Sequence, residues 1–183
     1  MTTERPGTQN VQLTHAQHAA RDLRFPVCIV APDIELPMNV GSLFRIADAL
    51  GIEKLYLTGS SPRPPHPKIR KTARATEQSV PYEHHASALE LVQRLRESGY
   101  ASVSLERTSR SVDIRELSAV RFEKVALIVG SEQSGVAQAL LDVSDHTVHI
   151  PMFGQNSSMN LATACAIAAF ELTRHFMPSA ALP

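Results

Sequence analysis

Short apolar runs alternate along the chain with segments in which apolar residues recur every three or four positions. The runs have the length of strands, and the periodic segments have the spacing of amphipathic helices. Strands are predicted over residues 26–31, 53–58, 80–83, 100–105, 124–129 and 147–152. Helices are predicted over residues 40–50, 68–77, 86–98, 136–141 and 160–176. This alternation predicts an α/β fold with a mostly parallel sheet and helices on both of its faces.

The chain divides into one domain and a short extension. Residues 1–25 are polar and lack core periodicity, so we expect a flexible or peripheral N-terminal segment there. The predicted domain covers residues 26–178. Its first helix has Asn39 as the predicted N-cap and Gly51 as the predicted C-cap. In a sheet of this kind, ligands bind in the loops beyond the carboxyl ends of the strands.

The composition is that of an ordinary globular protein. A chain of 183 residues, 43% of them hydrophobic, can build a core without cross-links. Cys28 and Cys165 lie inside apolar runs, so both are predicted to be buried thiols in a reducing compartment. The chain has no apolar run long enough to span a membrane, and residues 1–25 lack the apolar centre of a secretory signal. We therefore expect a cytoplasmic protein.

The formal net charge is zero, so affinity for a nucleic acid would need a local basic patch. Such a patch follows a proline-rich loop and contains no acidic residue. This basic stretch consists of Arg63, Lys68, Arg70, Lys71 and Arg74. Contact with RNA phosphates is predicted for it, and a solvated helix face is the alternative. The neighbouring His84 and His85 lack a third ligand nearby, so no metal site is predicted.

The strand-to-helix turn at residues 39–45 is the first candidate site. Gly41 and Arg45 are four residues apart, so they share one helix face, away from the apolar stripe. A glycine on that face would expose backbone beside the arginine, which suits an RNA phosphate or ribose. The alternative is a capped surface helix in which Arg45 pairs with Asp48.

The second candidate loop, residues 130–135, follows the most apolar strand. Gly130 and Gly135 bracket Glu132, which indicates an anchoring carboxylate, although a tight turn also explains the two glycines. The loop lacks the middle glycine of a dinucleotide-binding loop and the Lys-Ser/Thr pair of a P-loop. It also lacks the serine of a hydrolase elbow, because Glu132 stands at that position.

A third polar loop leads from the last predicted strand into the last helix. Pro151 has no N–H to donate and so ends the strand, and Asn160 is well placed to cap the helix. Five alanines between Asn160 and Phe170 would allow close packing of this helix against a neighbour. An ordinary buried helix is the alternative.

Together the three loops resemble the signature motifs of the SpoU (TrmH-type) branch of the SPOUT, or α/β-knot, superfamily of RNA 2′-O-ribose methyltransferases. The first motif corresponds to Asn39, Gly41 and Arg45. The second corresponds to Gly130, Glu132 and Gly135. The third corresponds to Ile150, Pro151, Met152 and Gly154, followed by Ser158, Met159 and Asn160. The resemblance covers residues 26–176.

The resemblance implies a C-terminal trefoil knot and S-adenosylmethionine as the cofactor. Backbone groups near four residues would hold that cofactor, namely Leu105, Gly130, Ile150 and Met159. It also implies a homodimer whose active site borrows residues across the interface. The alanine-rich last helix is the candidate for that interface.

The resemblance also places Arg45 nearest to the methylated 2′-hydroxyl. An arginine with a pKa above about 12 rarely gives up its proton, so we expect it to clamp the adjacent phosphate and stabilise the developing alkoxide. Glu132 is expected to orient its loop, or to contact Arg45 or the target nucleotide. Asn39 and Asn160 suit the ribose or loop backbone and Ser158 suits a phosphate or ribose, yet each also suits a structural cap.

Three other functions stay open at this point. They are an RNA-binding module without catalysis, a dinucleotide-dependent enzyme, and a SPOUT enzyme that methylates a base. The missing dinucleotide motif disfavours the second, and the SpoU-type motifs disfavour the third. The short N-terminal segment favours tRNA over rRNA as the substrate.

Overall fold

The structure is a computed structural model, and it describes residues 11, 12, 14 and 23–177. The predicted N-terminal segment at residues 1–25 lies almost entirely outside these residues. Within them the predicted α/β fold is confirmed. The elements are β1 (Phe25–Pro32), α1 (Pro37–Ala49), β2 (Ile52–Thr58), α2 (Pro67–Ala73), β3 (Tyr82–His85), α3 (Ala88–Glu97), β4 (Ala101–Leu105), β5 (Val112–Asp113), β6 (Val125–Ile128), α4 (Gln138–Val143), β7 (His146–His149) and α5 (Leu161–Thr173).

Each predicted strand and helix is present, with ends shifted by a few residues. Two elements were not predicted: the two-residue strand β5 and the 3₁₀ helix Ile114–Ala119 that follows it. Both are too short to show a hydrophobic period. Further 3₁₀ turns lie at Thr76–Gln78 and Arg174–Phe176.

The seven strands form one sheet in the order β3-β2-β1-β6-β4-β7-β5, and every pairing is parallel. The strand β6 lies between β1 and β4, although it follows both in sequence. The loops after β1, β4, β6 and β7 therefore meet at one edge of the sheet. That edge is where parallel α/β sheets bind their ligands.

Helices cover both faces of the sheet, as alternating side chains of β1 show. Val27, Ile29 and Ala31 belong to a core that includes buried residues of α1, α2 and α5. Cys28 and Val30 point to the opposite core, which α3 and α4 complete. The prediction of buried thiols is confirmed: burial raises the pKa of Cys165 to about 12 and raises that of Cys28 further, so neither thiol is ionised near neutral pH.

Gly41 does not present its backbone to solvent, contrary to the sequence-based expectation. It is buried where α1 crosses α2, and a Cβ atom there would lie 2.7 Å from the carbonyl oxygen of Ile69 and closer still to Thr72. The glycine is needed because two helices approach closely at this point.

The ends of α1 and α2 also differ from those predicted. The helix α1 begins at Pro37 with Leu36 at the N-cap, so Asn39 lies inside the helix and is not its cap. The C-cap of α1 is Leu50, and the predicted C-cap Gly51 stands one residue beyond it with a φ of 62°. The helix α2 stops at Ala73, because Arg74 and Ala75 both adopt left-handed backbone angles.

Across the part of the chain that is described, no helix is long and apolar enough to cross a membrane.

Candidate active site

A cleft of about 750 Å³ opens at the carboxyl edge of the sheet. The loops after β4, β6 and β7 form most of its wall, and the start of α1 and α5 completes it. The four residues predicted to hold a cofactor all line it: Leu105, Gly130, Ile150 and Met159. Four of the five predicted catalytic residues line it too: Asn39, Glu132, Ser158 and Asn160.

A hydrogen-bond relay joins the three sequence motifs at the wall of this cleft. Asn160 donates from Nδ2 to Oδ1 of Asn39 at 3.2 Å. Asn39 in turn donates from Nδ2 to Oε1 of Glu132 at 2.6 Å. The carboxylate also accepts the backbone N–H groups of Glu35 at 2.8 Å and Leu36 at 3.1 Å. One side chain from each motif is thus tied to the next.

The direction of this relay is set by the chemistry of its members. An ionised carboxylate has no proton to donate and can only accept hydrogen bonds. The amide nitrogen of Asn39 must therefore face Glu132. The amide oxygen of Asn39 then faces Asn160. Asn160 uses its own Oδ1 to accept the N–H of Thr163 at 3.2 Å, which confirms its predicted role as the N-cap of α5.

Glu132 is held in its ionised form. Burial alone would raise its pKa, but the hydrogen bonds from Glu35, Asn39 and Leu36 outweigh burial, so the pKa of this carboxyl lies below its ordinary value. The hydrogen-bond partners of Glu132 are Glu35, Leu36 and Asn39, and they do not include Arg45, one of the two partners considered from the sequence. Its hydrogen bonds instead hold the loop after β1, which is a different loop from its own.

The two glycines of the second motif allow the chain to fold back on itself. Ser131 and Gly135 pair through two backbone hydrogen bonds of 3.1 Å. A Cβ atom on Gly130 would lie 2.5 Å from the backbone nitrogen of Val136, and Gly135 has a φ of 66°. Both positions therefore exclude an ordinary side chain.

Glu106 is a residue of the cleft that was not predicted from the sequence. It directly follows Leu105, and its carboxylate accepts the N–H of Val136 at 2.9 Å and the N–H of Arg107 at 2.8 Å. It links the loop after β4 to the loop after β6. A charged residue directly after a buried strand was the available signal, whereas Glu132 was identified by the two glycines that bracket it.

Arg45 does not line the cleft of its own chain. It is exposed, and it makes no ion pair with Asp48 or any hydrogen bond within the described ranges. At about 100° per residue, Arg45 lies on the same side of α1 as Gly41 and Asp48. That side faces α2 and the turn after it, since Asp48 accepts a hydrogen bond from Ser79 at 3.5 Å. Ser158 is also exposed, at the rim of the cleft.

The basic stretch lies on the surface beside this side of α1. All five of its side chains are exposed and make no hydrogen bond or ion pair with any described residue: Arg63, Lys68, Arg70, Lys71 and Arg74. Arg63 belongs to the loop before α2, together with Pro62, Pro64 and Pro65, and the helix begins only at Pro67. The basic stretch therefore offers free cationic groups outside the cleft.

The two adjacent histidines have protein partners. His84 is bonded to the carbonyl oxygen of Gly59 at 3.0 Å, and His85 lies 2.8 Å from a carboxylate oxygen of Glu83. Among the described residues, no three His, Cys, Asp or Glu side chains are grouped so as to hold a metal ion.

The comparisons with known proteins agree on one family. Residues 26–170 match the model of the SpoU rRNA methylase family. An uncharacterized tRNA/rRNA methyltransferase of Mycobacterium tuberculosis is 32% identical over 137 residues, covering 74% of this chain and 48% of the relative. The tRNA (guanosine(18)-2′-O)-methyltransferase of Escherichia coli K12 is 27% identical over 159 residues, covering 85% of this chain and 66% of the relative.

A solved structure agrees with these relatives. The AdoMet-bound rRNA methyltransferase of Sinorhizobium meliloti superimposes with a TM-score of 0.77 at 25% identity, covering 87% of this chain and 60% of that one. The chain spans about half the length of the mycobacterial relative that it matches.

Replacing Glu132 with glutamine is expected to destabilise the fold. The substitution Glu132→Gln puts an amide NH₂ against one of three N–H donors and removes the ionised acceptor. We expect the free energy of unfolding to fall by about 1–3 kcal/mol at pH 7, measured by urea denaturation. Glu123→Gln is the matched control, because Glu123 is exposed and unpaired within the described residues.

The pH dependence of this loss has a defined sign. Because the pKa of Glu132 is lowered by folding, its ionised form stabilises the protein above the unfolded-state pKa of about 4.3. The stabilisation disappears as the pH falls through the lower pKa of the folded state. The difference between wild type and Glu132→Gln is therefore expected to be constant near neutral pH and to shrink below about pH 4. A difference that grows on acidification would contradict this assignment.

Proposed function

The chain belongs to the SpoU rRNA methylase family, and on that premise we propose that it transfers a methyl group from S-adenosylmethionine to a ribose 2′-hydroxyl of RNA. The observation that carries the proposal is the relay from Asn160 through Asn39 to Glu132. It unites residues of all three motifs at the wall of one cleft. A binding module without catalysis would not need this arrangement.

The residues of the cleft fit S-adenosylmethionine. A volume of about 750 Å³ suits a ligand of that size. Leu105, Ile150 and Met159 offer apolar contacts for an adenine ring, and loop backbone at Gly130 offers hydrogen bonds. Glu106 adds a carboxylate that suits a cofactor with a sulfonium cation and hydroxyl donors. When bound, the cofactor supplies an activated methyl group.

The role of the chain is to bind, orient and stabilise charge. Asn39, Glu132 and Asn160 hold the loops of the cleft and so act as positioning residues. The exposed Ser158 at the rim is available to a phosphate or ribose of the RNA. We assign the cofactor contacts to Leu105, Gly130, Ile150 and Met159.

Arg45 is proposed to act on the RNA and not as a base. The fully protonated guanidinium can clamp a phosphate with two parallel hydrogen bonds and stabilise an alkoxide beside it. The proton of the 2′-hydroxyl then passes to a phosphate oxygen or to water. The absence of a described intramolecular partner leaves the guanidinium of Arg45 available for this contact.

The basic stretch is proposed to bind the RNA backbone. Its five free cations continue the surface that carries Arg45, since α2 packs against α1 at Gly41. Named relatives act on both kinds of RNA: the E. coli enzyme on tRNA, and the S. meliloti protein described as an rRNA methyltransferase. We propose tRNA as the first substrate to test.

We further propose a homodimer, in which Arg45 reaches the cleft of the partner subunit. Two observations support it: Arg45 lies outside its own cleft, and α5 leaves Ile167 and Phe170 exposed by 42% and 52%. Leu36 and Met38 at the start of α1 are exposed as well. Exposed apolar groups on packed helices suit a subunit interface better than water. The trefoil knot implied by the family and a cytoplasmic location belong to the same proposal.

The first test is transfer of labelled methyl groups into separated tRNA and rRNA. After digestion to nucleosides, mass spectrometry is expected to show a 2′-O-methylated nucleoside in one RNA pool. Label on a base would indicate a base methyltransferase. No transfer, together with no binding of S-adenosylhomocysteine by calorimetry, would reduce the protein to a binding module.

The substitution Arg45→Lys tests the phosphate clamp. Lysine keeps the charge but loses the fork, so we expect kcat to fall about tenfold or more while the affinity for S-adenosylhomocysteine is unchanged. Arg121→Lys is the matched control, since Arg121 is also exposed and unpaired among the described residues. Near-normal turnover of the Arg45 variant would reject a required bidentate contact.

The dimer is tested by sedimentation. The wild type is expected at about twice the chain mass of 20.0 kDa. Phe170→Glu is expected to give monomers, because a buried unpaired charge is costly at an apolar interface. Val112→Glu changes another exposed apolar residue, on β5, and is expected to leave the dimer intact. A monomeric wild type would overturn the proposal.

A further inference from the structure

A second cleft, separate from the first, lies beside α2. It has a volume of about 950 Å³ and shares no residue with the cofactor cleft. Its walls are the proline-rich loop before α2, the first turns of α2, the 3₁₀ turn Thr76–Gln78 and the first residue of β3. Arg70 and Lys71, two members of the basic stretch proposed to bind the RNA backbone, line this cleft, and its other residues have no role assigned above.

Rigid, flat groups form one side of the second cleft. The ring of Tyr82 is fixed edge-to-face against Phe44, with centroids 5.4 Å apart, and its hydroxyl donates to the carbonyl oxygen of Pro64 at 3.5 Å. Pro65 and Pro67 add rings that lose little entropy when a ligand is ordered against them. Such surfaces suit stacking of an unpaired nucleobase.

Polar groups with unused hydrogen-bonding capacity form the other side. Gln78 is exposed and its side chain makes no hydrogen bond to a described residue, so it offers donors and an acceptor. Oε2 of Glu77 is shielded from solvent and has no hydrogen-bond partner among the described residues. A shielded acceptor without a partner costs free energy, and Glu77, which lines the cleft, recovers it when its side chain turns toward a donor bound there.

His66 also lines the second cleft and can donate a hydrogen bond there. Its Nδ1 accepts the backbone N–H of Lys68 at 3.2 Å, so in the neutral ring Nε2 carries the proton and can donate. Arg70 and Lys71 are exposed at the edge of the cleft and are free to meet a phosphate. Stacking surfaces, edge-reading polar groups and cations together match the parts of a single nucleotide.

The second cleft is also near the residue proposed to act on the target ribose. The segment from α2 to the turn at residues 76–79 runs along α1, with Ile69 beside Gly41 and Ser79 beside Asp48. Arg45 lies on that side of α1, between these two contacts. An RNA strand that reaches Arg45 therefore passes close to the second cleft.

We propose that the second cleft binds an unstacked nucleotide of the substrate RNA other than the one that is methylated. The proposal rests on the proposed function, because it requires an RNA substrate. Glu77 and Gln78 contact the edge of the base, Tyr82 and the prolines contact its face, and Arg70 and Lys71 contact the phosphate. The second cleft thus contributes to the choice of RNA, while the first binds the cofactor.

The test is a binding experiment with the RNA that accepts label in the transfer assay. A series of copies of this RNA carries one abasic residue each, and the Kd is measured by fluorescence anisotropy. The tested variant is Glu77→Ala combined with Gln78→Ala, which removes both edge-reading groups. Gln93→Ala combined with Glu97→Ala is the matched control, since both residues are exposed on α3.

For the wild type, we expect one abasic position outside the target nucleotide to weaken binding about fivefold or more. The tested variant is expected to bind intact RNA about fivefold weaker, and the same abasic position is then expected to have no further effect. The control is expected to behave as wild type. Unchanged affinity for S-adenosylhomocysteine shows that each variant is folded, and Gln78→Trp, which fills the cleft, is expected to weaken RNA binding as well.

Two results would overturn the proposal in distinguishable ways. In the first, the wild type methylates and binds the RNA, but every abasic position weakens binding by the tested variant as much as it weakens binding by the wild type. The second cleft then binds no base, and the proposed function stands. If wild type neither binds nor methylates RNA, the proposed function fails and this inference fails with it.

Discussion

The carboxylate of Glu132 connects the loops on which the candidate site depends. It accepts two backbone N–H groups from the loop after β1 and the amide of Asn39, which lies 93 residues earlier in the chain. Asn39 then receives a hydrogen bond from Asn160, 121 residues later. An ionised carboxylate only accepts hydrogen bonds, whereas each asparagine amide both donates and accepts. The hydrogen bonds are therefore donated from Asn160 to Asn39 and from Asn39 to Glu132. Loss of any member leaves a polar group without its partner.

The parallel sheet makes this relay possible. Since β6 lies directly beside β1, the loops that follow these two strands leave the sheet side by side. The helix α5 packs against α1, and its N-cap therefore meets Asn39. Glycines at positions 130 and 135 let the loop after β6 turn tightly enough to present Glu132. The strand order thus places the loops of the site side by side, and hydrogen bonds between their side chains then join them.

A group of unpaired cations lies together on one surface of a protein whose formal net charge is zero. Several cations away from the site form ion pairs, among them Lys54 with Glu83 and Arg96 with Asp145. The cations of the basic stretch and Arg45 have no such partners among the described residues. Free cations on one surface attract a polyanion even when the whole molecule is neutral. The proposed RNA path follows that surface.

The sequence by itself determined the fold class, the order of the elements long enough to show a hydrophobic period, both buried thiols, the N-cap at Asn160 and the two loops of the cleft that follow β6 and β7. These follow from local periodicity, from capping chemistry and from the known behaviour of parallel sheets. Tertiary structure decided the rest: that Gly41 is a helix-crossing residue, that Asn39 bonds to Glu132 instead of capping α1, and that Glu106 belongs to the cleft. The physical reason is that each of these roles depends on a partner from a distant part of the chain. Local sequence carries no record of such a partner until the sheet brings the two segments together.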